Sequence, residues 1–248
     1  MRDAPRDQRQ YWDALARLDP DAAVIDPRDR RGEKNVYLVG IRNASIAEAL
    51  SGLGPRIVLD LGCGTGSLGR TLVGLGSRVL GLDIAAGLLA RVAERDLGDG
   101  YLPVLYDGWR FPVRDQSVDA ITTYVVMTHI VDDAHLAAVL AECARVLVPG
   151  GMLVAIEQVR RRARHSPAAF KQFRTLQSYC RLFADAGLQP RRARIIRYGH
   201  APWIYPIRAG WIPRRLHPRL ARFERWLGSR IGVPPWDYCD ALLEASKP

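Results

Sequence analysis

Val58-Leu59-Asp60-Leu61-Gly62-Cys63-Gly64-Thr65-Gly66 is a short apolar run that breaks into glycines, and Ser67-Leu68-Gly69-Arg70-Thr71-Leu72 then opens a helical pattern. Glycine has no Cβ, so such a turn can take positive φ and let a ligand lie against the backbone. The spacing Gly64-x-Gly66-x-x-Gly69 also fits a dinucleotide-binding fingerprint. Asp83 closes the next apolar run, RVLGLD (78–83), where a carboxylate can accept from ribose hydroxyls in any nucleoside site. The stretch points to a nucleotide-type ligand and leaves open which one.

The same rhythm continues on either side. Strands are expected at 57–61, 78–83, 101–107, 117–126 and 152–159, with helices between them. Residues 171–188 predict a helix stopped by Gly187, 192–198 a sixth strand and 239–247 the last. Upstream, helices are expected over 7–18 and 37–50, separated by a turn-rich stretch and closed by Ser51-Gly52-Leu53-Gly54-Pro55. The expected fold is α/β: a doubly wound, mostly parallel seven-stranded sheet with helices on both faces. Its expected parts are an N-terminal helical cap (1–55), a core (56–198), a basic lid insertion (199–235) and the last core strand (236–248).

Composition narrows the class. The chain has 248 residues, 48% hydrophobic and 25% charged, enough for one sizeable core. No apolar run reaches the roughly 18–20 residues that span a bilayer, and the charged start MRDAPRDQRQ lacks a secretory signal's apolar core. Cys63, Cys143, Cys180 and Cys239 form no CxxC pair and no zinc spacing, so reduced thiols, a cytoplasmic setting and no metal are expected. The net charge of +10 is uneven: residues 158–235 hold eighteen Lys and Arg against Asp185 and Glu224, and the remainder is net −6. Such a split suits a region facing a lipid headgroup, a phosphate-bearing substrate or nucleic acid, or an arginine-rich solvated surface.

Three further features bear on the ligand. Asp60 lies inside its strand, where a dinucleotide-binding strand is apolar, and can hold an ammonium group or the loop amides. Asp107-Gly108 ends the third strand, where an acid can accept from an adenine amino group and the next amide can donate to the ring. Val148-Pro149-Gly150-Gly151 turns the long helix at 132–147 into the fifth strand. From Arg56 to Glu157 the chain thus resembles the class I, Rossmann-like S-adenosylmethionine-dependent methyltransferases of small-molecule type.

That resemblance implies S-adenosyl-L-methionine as cofactor. It places the loop Gly62, Cys63, Gly64 and Gly66 along the methionine and ribose parts, and Asp83 with Ile84 at the ribose. It also places Asp107 and Gly108 at the adenine, and Thr123 and Tyr124 at the amino-acid end. Methyl transfer from a sulfonium depends mainly on positioning, and a base is needed only for an unactivated nucleophile. His129 is the first candidate base, with Tyr124 and Glu157 as alternatives on the same rim. In this family the helices before the core commonly close over the site, so Lys34, Asn35 or Tyr37 could reach cofactor or acceptor.

The lid carries Trp203, Trp211 and Trp226, and places Leu216, Leu220, Phe223, Leu227 and Ile231 on one helical face with arginines largely elsewhere. A basic amphipathic helix with tryptophans suits peripheral contact with an anionic membrane, and equally a cover over a hydrophobic acceptor. Nucleic acid is not an expected partner, for want of a binding module. The expected reaction is methylation of an oxygen on a small or lipid-linked acceptor. The DPRDRRGEKNVYL stretch (26–38) resembles glycan or glycolipid methyltransferases. A quinone or natural-product hydroxyl is the rival acceptor, and an NAD-binding protein or a non-catalytic cofactor-binding module the rival class.

Overall fold

Apolar residues occupy both sides of the core strands because the sheet is covered on both faces. The computed structural model describes residues 6–54, 56–167 and 170–248. Residues 1–5 of the expected cap and Pro55 at its boundary lie outside the described residues.

The cap holds α1 (Arg6–Leu15), α2 (Pro20–Val24) and α3 (Glu33–Leu50). The core runs β1 (Ile57–Leu61), α4 (Gly69–Gly74), β2 (Arg78–Asp83), α5 (Ala86–Ala90), β3 (Tyr101–Leu105) and β4 (Val118–Tyr124). It continues through α6 (Asp133–Val146), β5 (Leu147–Val159), β6 (Arg164–Ser166), β7 (Lys171–Phe173), α7 (Leu176–Asp185) and β8 (Gln189–Tyr198). The lid helices α8 (Ile204–Arg208) and α9 (His217–Ile231) precede β9 (Cys239–Ser246).

The sheet order is β3-β2-β1-β4-β5-β9-β8, with β9 antiparallel to both neighbours and the other pairs parallel. Alternate residues feed two cores. Leu59, Leu61, Ile121, Leu153 and Ala155 pack with Leu136 and Val139 of α6 and with Tyr179 and Phe183 of α7. Val58, Ala120, Val154 and Ile156 pack with Tyr37, Ile41 and Ile46 of α3 and Leu72 of α4. The period of two along a strand sends neighbours to opposite layers, so the doubly wound arrangement follows.

One expected element is corrected. Lys171–Phe173 is not the start of a helix; it pairs antiparallel with Arg164–Ser166. The helix begins only where the Thr175 hydroxyl accepts from the Ser178 amide at 3.0 Å and caps its first turn.

The lid is attached by polar groups. Glu224 of α9 is fully buried, and its carboxylate accepts from the Tyr198 amide at 2.7 Å, the Tyr37 hydroxyl at 2.7 Å and the Trp203 indole at 3.0 Å. Gly228 lets α9 approach β8, since a Cβ there would stand 2.6 Å from the Ile195 carbonyl oxygen. Arg197 and Asp240, register partners on β8 and β9, form an ion pair at 2.7 Å with both side chains 3% exposed.

Replacing Glu224 by Leu strands three buried donors and should cost about 3 kcal/mol or more. Arg225→Ala, which removes only a partly exposed pair with Glu48 at 2.7 Å, should cost under about 1 kcal/mol. Urea unfolding midpoints of the two variants test the contrast.

Candidate active site

The carboxyl ends of β1, β2 and β4 open on one cavity, roofed by the cap helices. Strand ends of an open parallel sheet splay there, which leaves room for a ligand.

The glycine loop forms one wall. Gly62 has φ +68, and a Cβ on it would stand 2.2 Å from Cγ2 of Val126, so the loop packs directly on the segment after β4. The amides of Gly62 and Cys63 donate to the Leu82 carbonyl at 2.7 and 3.1 Å. Asp83 accepts from the Gly64 amide at 2.7 Å and the Ala85 amide at 2.9 Å. Asp60 accepts from the Thr122 hydroxyl at 3.1 Å and the Tyr101 hydroxyl at 3.4 Å. Burial pushes the pKa of both acids up, that of Asp60 to about 6. A ligand bringing positive charge is favoured beside them. Arg42 of α3 joins this wall, donating to the Ser67 hydroxyl at 2.8 Å and carbonyl at 3.0 Å, and lies 5.2 Å from the centre of the Tyr124 ring.

The opposite wall is the turn after β4. Val125 takes φ +57, an uncommon and strained conformation for a β-branched residue. It turns the chain so that Val126, His129 and Ile130 line the cavity. Two charged side chains hold that turn. Glu157, wholly buried, accepts from the Met127 amide at 3.0 Å, the Thr128 amide at 2.8 Å and the Thr128 hydroxyl at 2.7 Å. Arg174 donates to the Met127 and Ile130 carbonyls, each at 2.9 Å.

His129 donates through Nδ1 to the Phe170 carbonyl at 3.0 Å, since a carbonyl can only accept. Burial first, then Lys171, lowers its pKa to about 3, so the imidazole is neutral and Nε2 is an acceptor. The ring sits edge-on to Trp12, centroids 4.9 Å apart, and Gln8 donates to its carbonyl at 2.9 Å. At the far side His135 donates to the Gly108 carbonyl at 2.8 Å and stacks on Trp109 at 3.9 Å.

Of the residues expected from sequence, Asp60, Gly62, Cys63, Gly64, Asp83, Ile84, Gly108, Tyr124 and His129 line this cavity together. Others are placed elsewhere. Gly66 lies behind the loop against Leu97 and Val92. Asp107 stands behind Gly108, its Oδ1 accepting from the Trp109 and Arg110 amides at 2.8 and 2.9 Å. Thr123 is buried off the cavity, its hydroxyl without a hydrogen-bond partner.

Glu157, expected as an alternative base, is not among the residues lining the cavity and spends its oxygens as a strut on the 127–128 turn, while burial raises its pKa to about 7. Burial likewise pushes the Tyr124 hydroxyl well above its usual range, which makes it a donor and not a base.

Lys34, Asn35 and Tyr37 do not reach the site. Lys34 pairs with Asp26 at 2.7 Å, Asn35 donates to the Asp26 carbonyl at 3.2 Å, and Tyr37 binds Glu224. The cap residues on the cavity are instead Gln8, Trp12, Val24 and Arg42. Among the described residues no group of three or more His, Cys, Asp or Glu could hold a metal ion.

This arrangement, a glycine loop with an acid at the end of β2 in a sheet whose β9 runs antiparallel, defines a class. Residues 58–151 match the family model described as a methyltransferase domain, and this segment is a class I S-adenosylmethionine-dependent methyltransferase domain. The chain is 40% identical over 98 residues to malonyl-[acyl-carrier protein] O-methyltransferase of Yersinia pestis, covering 40% of this chain and 35% of that one. It is 36% identical over 121 residues to demethylmenaquinone methyltransferase of Thermobifida fusca, covering 47% and 49%. The alignments thus span half or less of those relatives. Geranyl diphosphate C-methyltransferase from Streptomyces coelicolor A3(2), solved with S-adenosyl-L-homocysteine, shares the fold over 98% of both chains at 21% identity and a TM-score of 0.65.

Gly62→Ala sets a Cβ into Val126 and should weaken S-adenosylhomocysteine binding by tenfold or more, roughly the 1.4 kcal/mol of a modest clash plus strained φ. Adding Val126→Ala should recover part of the loss, because it removes the clash and leaves the φ penalty. Calorimetric titration of both variants measures it.

Proposed function

We propose that this protein transfers the methyl group of S-adenosylmethionine to an oxygen of a small acceptor with a largely apolar body. One observation carries the reading. Asp60, Asp83 and Arg42 line the same cavity as the apolar Trp12, Val126 and Ile130 and as His129, whose Nδ1 is taken up by the Phe170 carbonyl.

The residues present fit the cofactor. Two buried carboxylates with raised pKa values face the cavity, and a cation beside them lowers the cost of their charge. Asp60 would hold the ammonium group, Arg42 the carboxylate, Asp83 the ribose hydroxyls, and Gly108 with Asp107 behind it the adenine. When bound, the cofactor supplies a methyl group on a sulfonium, which needs no covalent help from the protein.

The protein's share is orientation and the exclusion of water. His129 Nε2 accepts a hydrogen bond from the acceptor hydroxyl, aims its oxygen, and takes its proton as the O–CH3 bond forms and the S–CH3 bond breaks, passing it on to solvent. With its pKa near 3, the ring at neutral pH carries only the Nδ1 proton it gives to the Phe170 carbonyl, which leaves Nε2 as an acceptor. Tyr124, on the same cavity, can donate to the acceptor or the cofactor. Trp12 and Gln8 of α1 close the mouth over both.

The acceptor fits a hydroxyl of quinone or natural-product type better than a glycan. The 26–38 stretch that resembled glycan enzymes spends its polar groups internally: Asp26 on Lys34, Asp29 on the Asn35 amide at 2.8 Å, and Glu33 on Arg214 at 2.9 Å. The name of the Yersinia pestis relative supports oxygen as the accepting atom.

Parallel titrations with S-adenosylmethionine, S-adenosylhomocysteine and NAD test the reading. Micromolar binding of the two sulfur compounds with NAD silent is expected, and binding of NAD alone would overturn it. Asp60 must be ionised to attract an ammonium group, and it takes up a proton as pH falls through about 6. Affinity should therefore hold above pH 6.5 and drop roughly tenfold per pH unit below 6. Asp60→Asn should bind weakly with a flat profile. With an acceptor in hand, His129→Ala should lower kcat roughly 10- to 100-fold and leave S-adenosylhomocysteine affinity unchanged.

A further inference from the structure

The lid turns to solvent part of the apolar face that its sequence periodicity defines. Spacing places Leu216, Leu220, Phe223, Leu227 and Ile231 on one helical face. In the structure Glu224 and Gly228, with His217, occupy the buried side of the helix, so that face is only partly covered. Leu220 and Leu227 are left half-buried, while Phe223 is 46% exposed, Trp226 55% and Ile231 59%. Phe223 and Trp226 stack on one another with centroids 5.8 Å apart. Trp211, 80% exposed, extends this surface across a shallow groove lined by Leu216 and Phe223.

Charge completes the pattern. Arg214 and Arg225 are tied to Glu33 and Glu48 of the cap. Arg215, Arg219, Arg222 and Arg230 are exposed and have no ion-pair partner among the described residues. Arg219 and Arg230 share the arc of α9 that carries Phe223 and Trp226, by their 3.6-residue spacing. The single acid of α9, Glu224, is buried on the far side, so nothing on the outward face offsets the positive charge.

We propose that this face binds the surface of a membrane rich in anionic phospholipid, with α9 lying in the plane of the interface. Aromatic rings and the aliphatic Leu216 and Ile231 enter the boundary between headgroups and acyl chains, where such side chains partition favourably. The four free arginines meet the phosphates, and the attraction weakens with salt. A nucleic acid also offers phosphates, but Leu216 and Ile231 have no π-face for a base to stack on, and stacked Phe223 and Trp226 already cover one another. No helix of the described residues is long and apolar enough to cross a membrane, so contact is from one side. The proposal is independent of the reading of the cavity.

The test is co-sedimentation of the full chain with vesicles of phosphatidylcholine alone, or with about one-third phosphatidylglycerol. Pelleting with the anionic vesicles is expected, together with a blue shift of tryptophan emission and quenching by brominated acyl chains. High salt should release the protein. Trp211→Ala with Trp226→Ala should cut partitioning at least tenfold, and so should Arg219→Gln with Arg222→Gln. Both pairs are exposed, and unchanged S-adenosylhomocysteine titration reports that the cavity and fold persist. No pelleting overturns the proposal, as does pelleting that the tryptophan pair leaves intact without quenching. Binding of a single-stranded oligonucleotide in place of vesicles overturns it in favour of nucleic acid.

Discussion

The bond between the Asp83 carboxylate and the Gly64 amide, 2.7 Å long, fixes the site more than any other contact. Parallel register sets Leu61 beside Leu82, so the end of β2 reaches the glycine loop as the loop leaves β1. The second oxygen of Asp83 takes the amide of Ala85, the residue that leads into α5. One side chain thereby sets both the loop and the helix that flanks it. Val126 packs on Gly62 and inherits its position from that loop, and the His129 turn follows from Val126.

Buried carboxylates repeat this device where regular pairing ends. Glu157 gathers two amides of the 127–128 turn, and Glu224 gathers the Tyr198 amide with side chains from cap and lid. An ionised group in such a place is costly unless its lone pairs are filled, and backbone amides fill them with fixed geometry. Irregular segments gain definite positions in this way. Each carboxylate joins parts of the chain far apart in sequence: Glu157 to Thr128, Glu224 to Tyr37.

Much of this was legible before any coordinates. The runs at 57–61 and 78–83 are strands with those same bounds, since short, mainly apolar runs of five and six residues stopped by glycine or a lone acid leave little choice. The acids Asp60 and Asp83 stand out because carboxylates at strand ends are rare among apolar neighbours. Arg42, Gln8 and Trp12 carried no such signal: each lies on a cap helix whose approach to the cavity depends on how the cap docks. Lys34, Asn35 and Tyr37 misled for the converse reason, since their polarity serves bonds within the cap and to the lid. The apolar stripe of α9 was legible, but which side is buried was not, because periodicity counts apolar residues and here the buried side is defined by Glu224 and a glycine. Glu157 looked like a base from its place on the rim, and only its partners reveal a strut.

β9 lies between β5 and β8, although it follows both in the chain. During synthesis, therefore, β8 and the lid leave the ribosome before the strand that joins them to the rest of the sheet. Until residues 239–246 are made, β5 presents an unpaired edge and Ile195, Ile196 and Tyr198 have no sheet to rest in. The five strands from β3 to β5 can assemble early, and the final step is insertion of one strand between two waiting edges. A nascent chain of this order carries an exposed apolar edge for the time taken to translate the lid, the interval in which a folding chaperone has something to hold.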